Sequence, residues 1–130
     1  MAIGGRALII EGPPGSGKSS LALALLDRGA VLIGDDGIAL SQSDTGLLAS
    51  PAPATAGLLE VRNVGLLPLK TASLVPIALI VRLDHHAPRY VEAAEQIELQ
   101  GIVLPLIRLF PDSPVLALRA ELALAHYGLS

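Results

Sequence analysis

Gly12-Pro13-Pro14-Gly15-Ser16-Gly17-Lys18-Ser19 fits the spacing G-x-x-x-x-G-K-[ST], in which glycines, a lysine and a hydroxyl share one task, gripping a polyphosphate. The glycines permit backbone dihedrals that turn successive N–H groups inward around an anion, and a helix opening at Lys18 adds its positive dipole end. Lys18 is expected to reach the β and γ phosphates of a nucleoside triphosphate, and the Ser19 hydroxyl to ligate Mg2+. The expected nucleotide-contacting set is Gly12, Pro13, Pro14, Gly15, Ser16, Gly17, Lys18, Ser19 and Ser20. A chance match in a chain of this length is on the order of one in a few hundred. An ordinary glycine-rich turn with a solvated lysine is therefore set aside. Two apolar runs end in acid: AVLIGDD supplies Asp35 and Asp36, and ALIVRLD supplies Asp84. Such carboxylates either support magnesium or its water beside the phosphate loop (P-loop), or cap a turn at the strand end. Neighbours in an extended strand point to opposite faces, so one lysine cannot neutralise both Asp35 and Asp36 unless the chain bends.

Those groups need elements to place them. Arg6 to Glu11 reads as a short buried strand and Lys18 to Arg28 as a helix closing at Gly29, which is strand, glycine loop, helix. Ala30 to Ile33 is expected to be a further strand, and Ile38 to Leu40 and Leu47 to Ala49 flank SQSDTG as a hairpin. Pro51 to Gly57 is a proline-interrupted loop. The run LLEVRNVGLLPL predicts strand with a break near Asn63 to Gly65, and Ile77 to Leu83 is a central strand by its β-branched content. Arg89 to Leu99 has helical periodicity, with Val91, Ala94 and Ile97 on one side and Glu92, Glu95 and Glu98 on a solvated face. A last helix starts with Asp112 or Ser113 as N-cap and Pro114 in its first turn, carries His126 and Tyr127 at its negative dipole end, and stops at Gly128.

Composition narrows the partners. With 130 residues the expectation is one domain, 1–130, and an apolar fraction of 52% with only 2% aromatics makes its core aliphatic. Few aromatics and a net charge of -3 make nucleic acid a poor candidate partner, since single strands are gripped by stacking and duplexes by a basic face. The absence of cysteine excludes disulfides, thiolate metal sites and a catalytic thiol. Leu74 to Val81, the longest apolar stretch, falls far below the ~20 residues that cross a bilayer. MAIGGR has no basic region followed by an apolar core, so no membrane partner and a cytoplasmic location are expected.

Three segments in order, GPPGSGKS, DRGAVLIGDD and LLEVRNVGL, make the chain resemble the C-terminal kinase domain of the HPr kinase/phosphorylase family, in the short form without that family's N-terminal domain. The third segment is similar to the family signature E-[IV]-R-G-x-G, and the resemblance covers about Ala2 to Leu69 well. It implies an α/β fold, a P-loop kinase domain with a mixed β-sheet and flanking helices, related to phosphoenolpyruvate carboxykinase. It also implies an ATP-dependent protein-serine kinase acting on HPr, the small carrier of the phosphotransferase system, with reversal by inorganic phosphate in many members. By the same resemblance Asp35 is the general base on the substrate serine, Lys18 orients the transferred phosphate, and Asp36 orients Asp35 or the metal waters. Ser19 and Glu60 hold Mg2+, and Arg89 falls where the family has an arginine used in both directions. Family members assemble into rings, so a homo-oligomer belongs to the same expectation.

Arg62 follows Glu60 by two residues and is expected on the same strand face, contacting phosphate or pairing with Glu60. Three positions depart from the family. No histidine precedes His85, whereas members carry one on the strand entering the phosphate loop. Asn63 replaces the signature glycine, and asparagine tolerates positive φ better than most residues. The loop that is rich in Pro, Gly, Arg and Asn elsewhere reads FPDSP here, Phe110 to Pro114, without arginine. Two alternatives stand beside the protein kinase: a nucleotide-sensing P-loop module that transfers nothing, and a small-molecule kinase, although no arginine-rich insertion supplies the lid such enzymes use.

Overall fold

A computed structural model describes residues 1–35 and 37–130, so Asp36 lies outside the described residues. Two short strands open the chain: β1 (Ala2–Ile3) pairs antiparallel with β2 (Arg6–Glu11). The turn between them, Gly4 and Gly5, has φ 58° and 82°, the double left-handed geometry that two-residue hairpins demand and glycine adopts without strain. From β2 the chain enters the glycine loop and then helix α1 (Lys18–Asp27). A hairpin follows, β3 (Ile38–Gln42) and β4 (Leu47–Pro51), then a single 3-10 turn at Pro53–Thr55. A second hairpin, β5 (Leu58–Val61) and β6 (Gly65–Pro68), forms a separate two-stranded sheet. Strand β7 (Val75–Leu83), the hairpin β8 (Glu95–Leu99) and β9 (Ile102–Leu109), and helix α2 (Leu116–Tyr127) complete the fold.

The main sheet has seven strands and is mixed, with β7 at its centre: parallel to β2 and β9, antiparallel to β4. That position explains why VPIALIVRL reads as an almost unbroken apolar run, since a strand covered on both faces has no solvent side to mark with polar residues. One apolar cluster joins Leu8, Leu79 and Val81 to Leu21 and Leu25 of α1 and Ala120 and Leu124 of α2. The other gathers Ala7, Ile77 and Ile80 with Leu47 and Ala49 of β4 and Leu104 and Leu106 of β9. The architecture is the mixed α/β sheet with flanking helices expected from the sequence.

Three local expectations are corrected. Ala30 to Ile33 forms no ladder; it is held by two isolated bridges, Ala2 to Val31 and Leu32 to Thr71, because its neighbour β1 is only two residues long. The predicted helix Arg89 to Leu99 is not formed: 84–94 is irregular and Glu95–Leu99 is β8. Gln100 and Gly101, with φ 48° and 79°, supply a hairpin turn, and pairing with β9 buries one edge of Ile97 and Leu99 against the second cluster. Glu95 consequently sits not on a helix face but beside Arg108, its Oε2 accepting from Nε at 2.8 Å. Helix α2 begins at Leu116 with Val115 as its N-cap, a few residues later than Asp112 or Ser113. The Ser113 hydroxyl, two residues before that N-cap, accepts the Val115 N–H at 3.2 Å in the turn leading into the helix.

Candidate active site

The phosphate loop hangs between the carboxyl end of β2 and the first turn of α1. Glu11, the last residue of β2, pairs with Arg82 in the adjacent register of β7, which pins the entry to the loop. At Gly12 a Cβ would stand 2.6 Å from the Ser16 hydroxyl and 3.3 Å from Leu83 Cβ, so a side chain there would displace the Ser16 hydroxyl and crowd Leu83. Gly15 and Gly17 take φ of 77° and 100°, and a Cβ at either would meet no atom within 4 Å. Backbone conformation, not crowding, requires glycine at those two positions. Pro13 and Pro14 lie exposed on the loop, and the Pro13 carbonyl accepts from the Ser16 N–H at 3.1 Å.

Lys18 folds back, its Nζ donating to the Gly12 carbonyl at 2.8 Å, which holds the ammonium across the loop's mouth. One residue on, the Ser19 hydroxyl donates to Asp35 Oδ1 at 2.9 Å. The other carboxylate oxygen, Oδ2, accepts from the backbone N–H of Glu60 at 3.2 Å. Asp35 is thus a clasp between α1 and the β5–β6 hairpin. The loop carrying it turns tightly: a Cβ on Gly34 would approach the Gly37 carbonyl to 2.2 Å. Sequence reasoning passed over Gly34, whose only signal is its place one residue before Asp35.

Leu59, fully buried in the cluster around α1, anchors the hairpin, and strand alternation then turns Glu60 outward. Strand β5 ends at Val61, so Arg62 lies in the turn and not on a strand face with Glu60 as expected. Asn63 takes φ 69° at the turn's tip, the left-handed conformation that asparagine accepts. An open cleft of about 1070 Å³ lies between hairpin and loop, lined by Lys18, Ser19, Ser20, Leu23 and residues 60–66. Val64 and Leu66 are exposed on it at 67% and 61%, an apolar rim suited to a partner's surface. The geometry brings Lys18, Ser19, Asp35 and Glu60 together. Arg89 stands apart, exposed in the loop after β7 and outside the described clefts around the phosphate loop.

Several features fit a polyphosphate with its magnesium. Helix α1 has no side-chain N-cap and no acidic residue in its first turn, so its leading N–H groups await an acceptor. The Ser16 hydroxyl is buried and makes no hydrogen bond among the described residues. Ser19 and Asp35 offer a hydroxyl and a carboxylate side by side, and Glu60 lines the hairpin cleft with Ser19. Among the described residues no three acidic or histidine side chains converge, and a magnesium ion at a phosphate site takes much of its octahedron from phosphate and water.

Asp84, the other strand-end aspartate, does different work. Its carboxylate accepts the His86 N–H at 2.8 Å and Arg108 Nη1 at 3.0 Å, and Arg108 also binds Glu95. The His86 amide first, and then Arg108, hold the Asp84 carboxyl below the ordinary aspartate value. Glu95 and then Asp84 raise the guanidinium of Arg108 in turn. This is the turn-capping alternative.

The HPr serine kinase C-terminal domain family matches residues 1–101. The chain belongs to that family. An HPr kinase/phosphorylase of Streptococcus thermophilus is 36% identical over 118 residues, which cover 81% of this chain and 38% of the relative. One from Bordetella pertussis is 43% identical over 68 residues, 52% of this chain and 22% of the relative. The chain thus spans well under half the length of the curated relatives it matches. The solved structure of the Hpr(Ser) kinase/phosphatase from Coxiella burnetii superposes with a TM-score of 0.82 at 24% identity, over 96% of this chain and 85% of that one. This likeness establishes the mixed α/β fold of the HPr kinase C-terminal domain, and no described helix is long and apolar enough to cross a membrane.

Proposed function

We propose that this domain is an ATP-dependent protein-serine kinase whose acceptor is HPr. The observation that carries the reading is the Asp35 carboxylate, held between the Ser19 hydroxyl and the Glu60 amide and sharing a cleft of about 240 Å³ with Lys18, next to the wide cleft that Ser19 and Glu60 line. Membership of the family and the names of its relatives support the same acceptor.

In this reading the loop amides and the first turn of α1 hold the phosphates, and Lys18 leaves the Gly12 carbonyl to offset charge on the transferred group. Ser19 and Glu60 would hold Mg2+, which would supply positive charge to offset that of the phosphates. Asp35 takes the proton of the acceptor serine at Oδ2, the oxygen with the longer hydrogen bond. The serine oxygen forms the new bond to phosphorus as the bond to ADP breaks. Leu23, Val64 and Leu66 provide the apolar contact that excludes water around the acceptor.

The Ser19–Asp35 hydrogen bond favours a second assignment within the same reaction. A serine that ligates magnesium and donates its proton to Asp35 makes Asp35 the metal-side carboxylate and passes the base to Asp36.

Asp35→Asn separates the two. If Asp35 is the base, MgATP affinity stays within about threefold while seryl phosphate formation on HPr falls roughly 10²–10⁴-fold. If it is the metal-side group, binding of MgATP drops with transfer, and binding of metal-free ATP does not. Wild-type protein that is stabilised by ATP yet phosphorylates no serine of HPr would leave the nucleotide-sensing module in place of a kinase.

A further inference from the structure

We infer that the cleft between α1 and the segment entering α2 takes the nucleoside end of ATP; this rests on the kinase reading above and adds to it where base and ribose lie. The cleft measures about 290 Å³ and opens beside Gly15, Ser16 and Gly17 on one side and Pro111 to Pro114 on the other. It shares Gly15, Gly17 and Ser20 with the hairpin cleft, so the two flank one phosphate cradle.

In-line transfer puts the acceptor oxygen and the leaving oxygen on opposite sides of the transferred phosphoryl group. Asp35, as the base, marks the acceptor flank, and it lines with Lys18 and Gly34 a cleft that has no residue in common with this one, so the nucleoside leaves by the other. Helix geometry agrees. Ser19 and Leu23, four residues apart, share the hairpin face, whereas Ser20 is turned about 100° from Ser19, toward the face of Leu21 and Ala24 that lines the smaller cleft. Ser20 is exposed and bridges the two clefts, placed for the phosphate nearest the ribose.

Size and lining separate the flanks as well. A volume near 290 Å³ is at the lower end for small-ligand clefts, ~300 Å³ upward, whereas about 1070 Å³ with an apolar rim suits a protein acceptor. Ala24, Pro111, Pro114 and Ala117 present flat or small apolar surface for a base. Two polar side chains stand among them. Asp112 Oδ2 meets His85 Nε2 at 3.0 Å, and Oδ1 makes no hydrogen bond among the described residues, leaving an acceptor for ribose hydroxyls. Ser113 Oγ already accepts from Val115 N–H and keeps its proton to donate. The buried Ser16 hydroxyl, unpartnered among the described residues, lies at the junction with the cradle.

Calorimetric titration of the full chain with MgATP and with magnesium tripolyphosphate tests this without turnover. Ala117→Trp, which fills the cleft, should weaken ATP on the order of tenfold and tripolyphosphate less than about twofold. Asp112→Ala, a surface change that spares the fold, should weaken ATP about threefold or more and leave 2′,3′-dideoxy-ATP unchanged. Leu66→Trp on the opposite flank should keep the wild-type ratio of the two affinities. The inference is overturned if Ala117→Trp and Asp112→Ala both preserve that ratio, or if Leu66→Trp is the variant that selectively loses ATP. Wild-type protein that binds neither ligand refutes the phosphate-loop reading itself, and the inference falls with it.

Discussion

Two aspartates that follow apolar runs, Asp35 and Asp84, meet opposite fates in this chain, and the neighbours of each decide which. Asp35 finds a hydroxyl and an amide, both able to give way to a metal or a substrate, at 2.9 and 3.2 Å. Asp84 finds a fixed cation and the amide of its own turn, which commit it to structure. Because its folded-state value is depressed, the Asp84 carboxylate stabilises the protein above the unfolded value, roughly pH 4, and that contribution is lost as pH falls through the lower folded value. Asp84→Asn should therefore lower the urea midpoint at pH 7, and the difference from wild type should shrink as the pH is taken below the unfolded value. A gap that persists unchanged at low pH would rule out the charge as its source. Asp35→Asn belongs to the same scale, since removing a charge held only by two neutral donors should cost chemistry far more than it costs stability.

Among the elements, the two pieces of backbone that carry Asp35 and Glu60 matter most for the site. The Asp35 loop tolerates no side chain at Gly34, because a Cβ would press on the Gly37 carbonyl at 2.2 Å. Gly34→Ala should cost about 1–3 kcal/mol in urea denaturation and shift the loop enough to reduce ATP-dependent transfer. A variant with wild-type stability and activity would mean that the loop relaxes freely. The hairpin strand β5 is legible from its alternating residues and from the Asn63–Gly65 break, because such turns are local and their residues must adopt positive φ, here 69° and 130°. By contrast β8 reads as helix in the sequence. Five residues, EQIEL, are too few to distinguish a period of 2 from 3.6, and the deciding partner, β9, comes later in the chain.

At the scale of the molecule, core and site are joined through Leu59, which is fully buried against α1 while the next residue donates its amide to Asp35. Leu59→Ala should cost roughly 2–5 kcal/mol by the cavity it leaves, measurable as a lower melting temperature, and should also loosen the hairpin over the cleft. Activity measured well below the new melting temperature should fall too; unchanged activity would uncouple the hairpin from the site. The sequence alone determined the phosphate loop, the strand before it and the helix after it, since G-x-x-x-x-G-K-S, an apolar run and a helix-forming segment closed by Gly29 are written in contiguous residues. It also marked Asp35 and Glu60 as acidic residues of note. Only the tertiary structure decided that Asp35 clasps Ser19 while Asp84 serves Arg108, that Arg89 stays outside the clefts, and that Pro111 to Ser113 face the phosphate loop across a cleft. The physical reason is distance along the chain: a loop motif is closed by its own backbone, whereas a carboxylate's role depends on which donors the sheet brings to it from 16, 24 or 25 residues away.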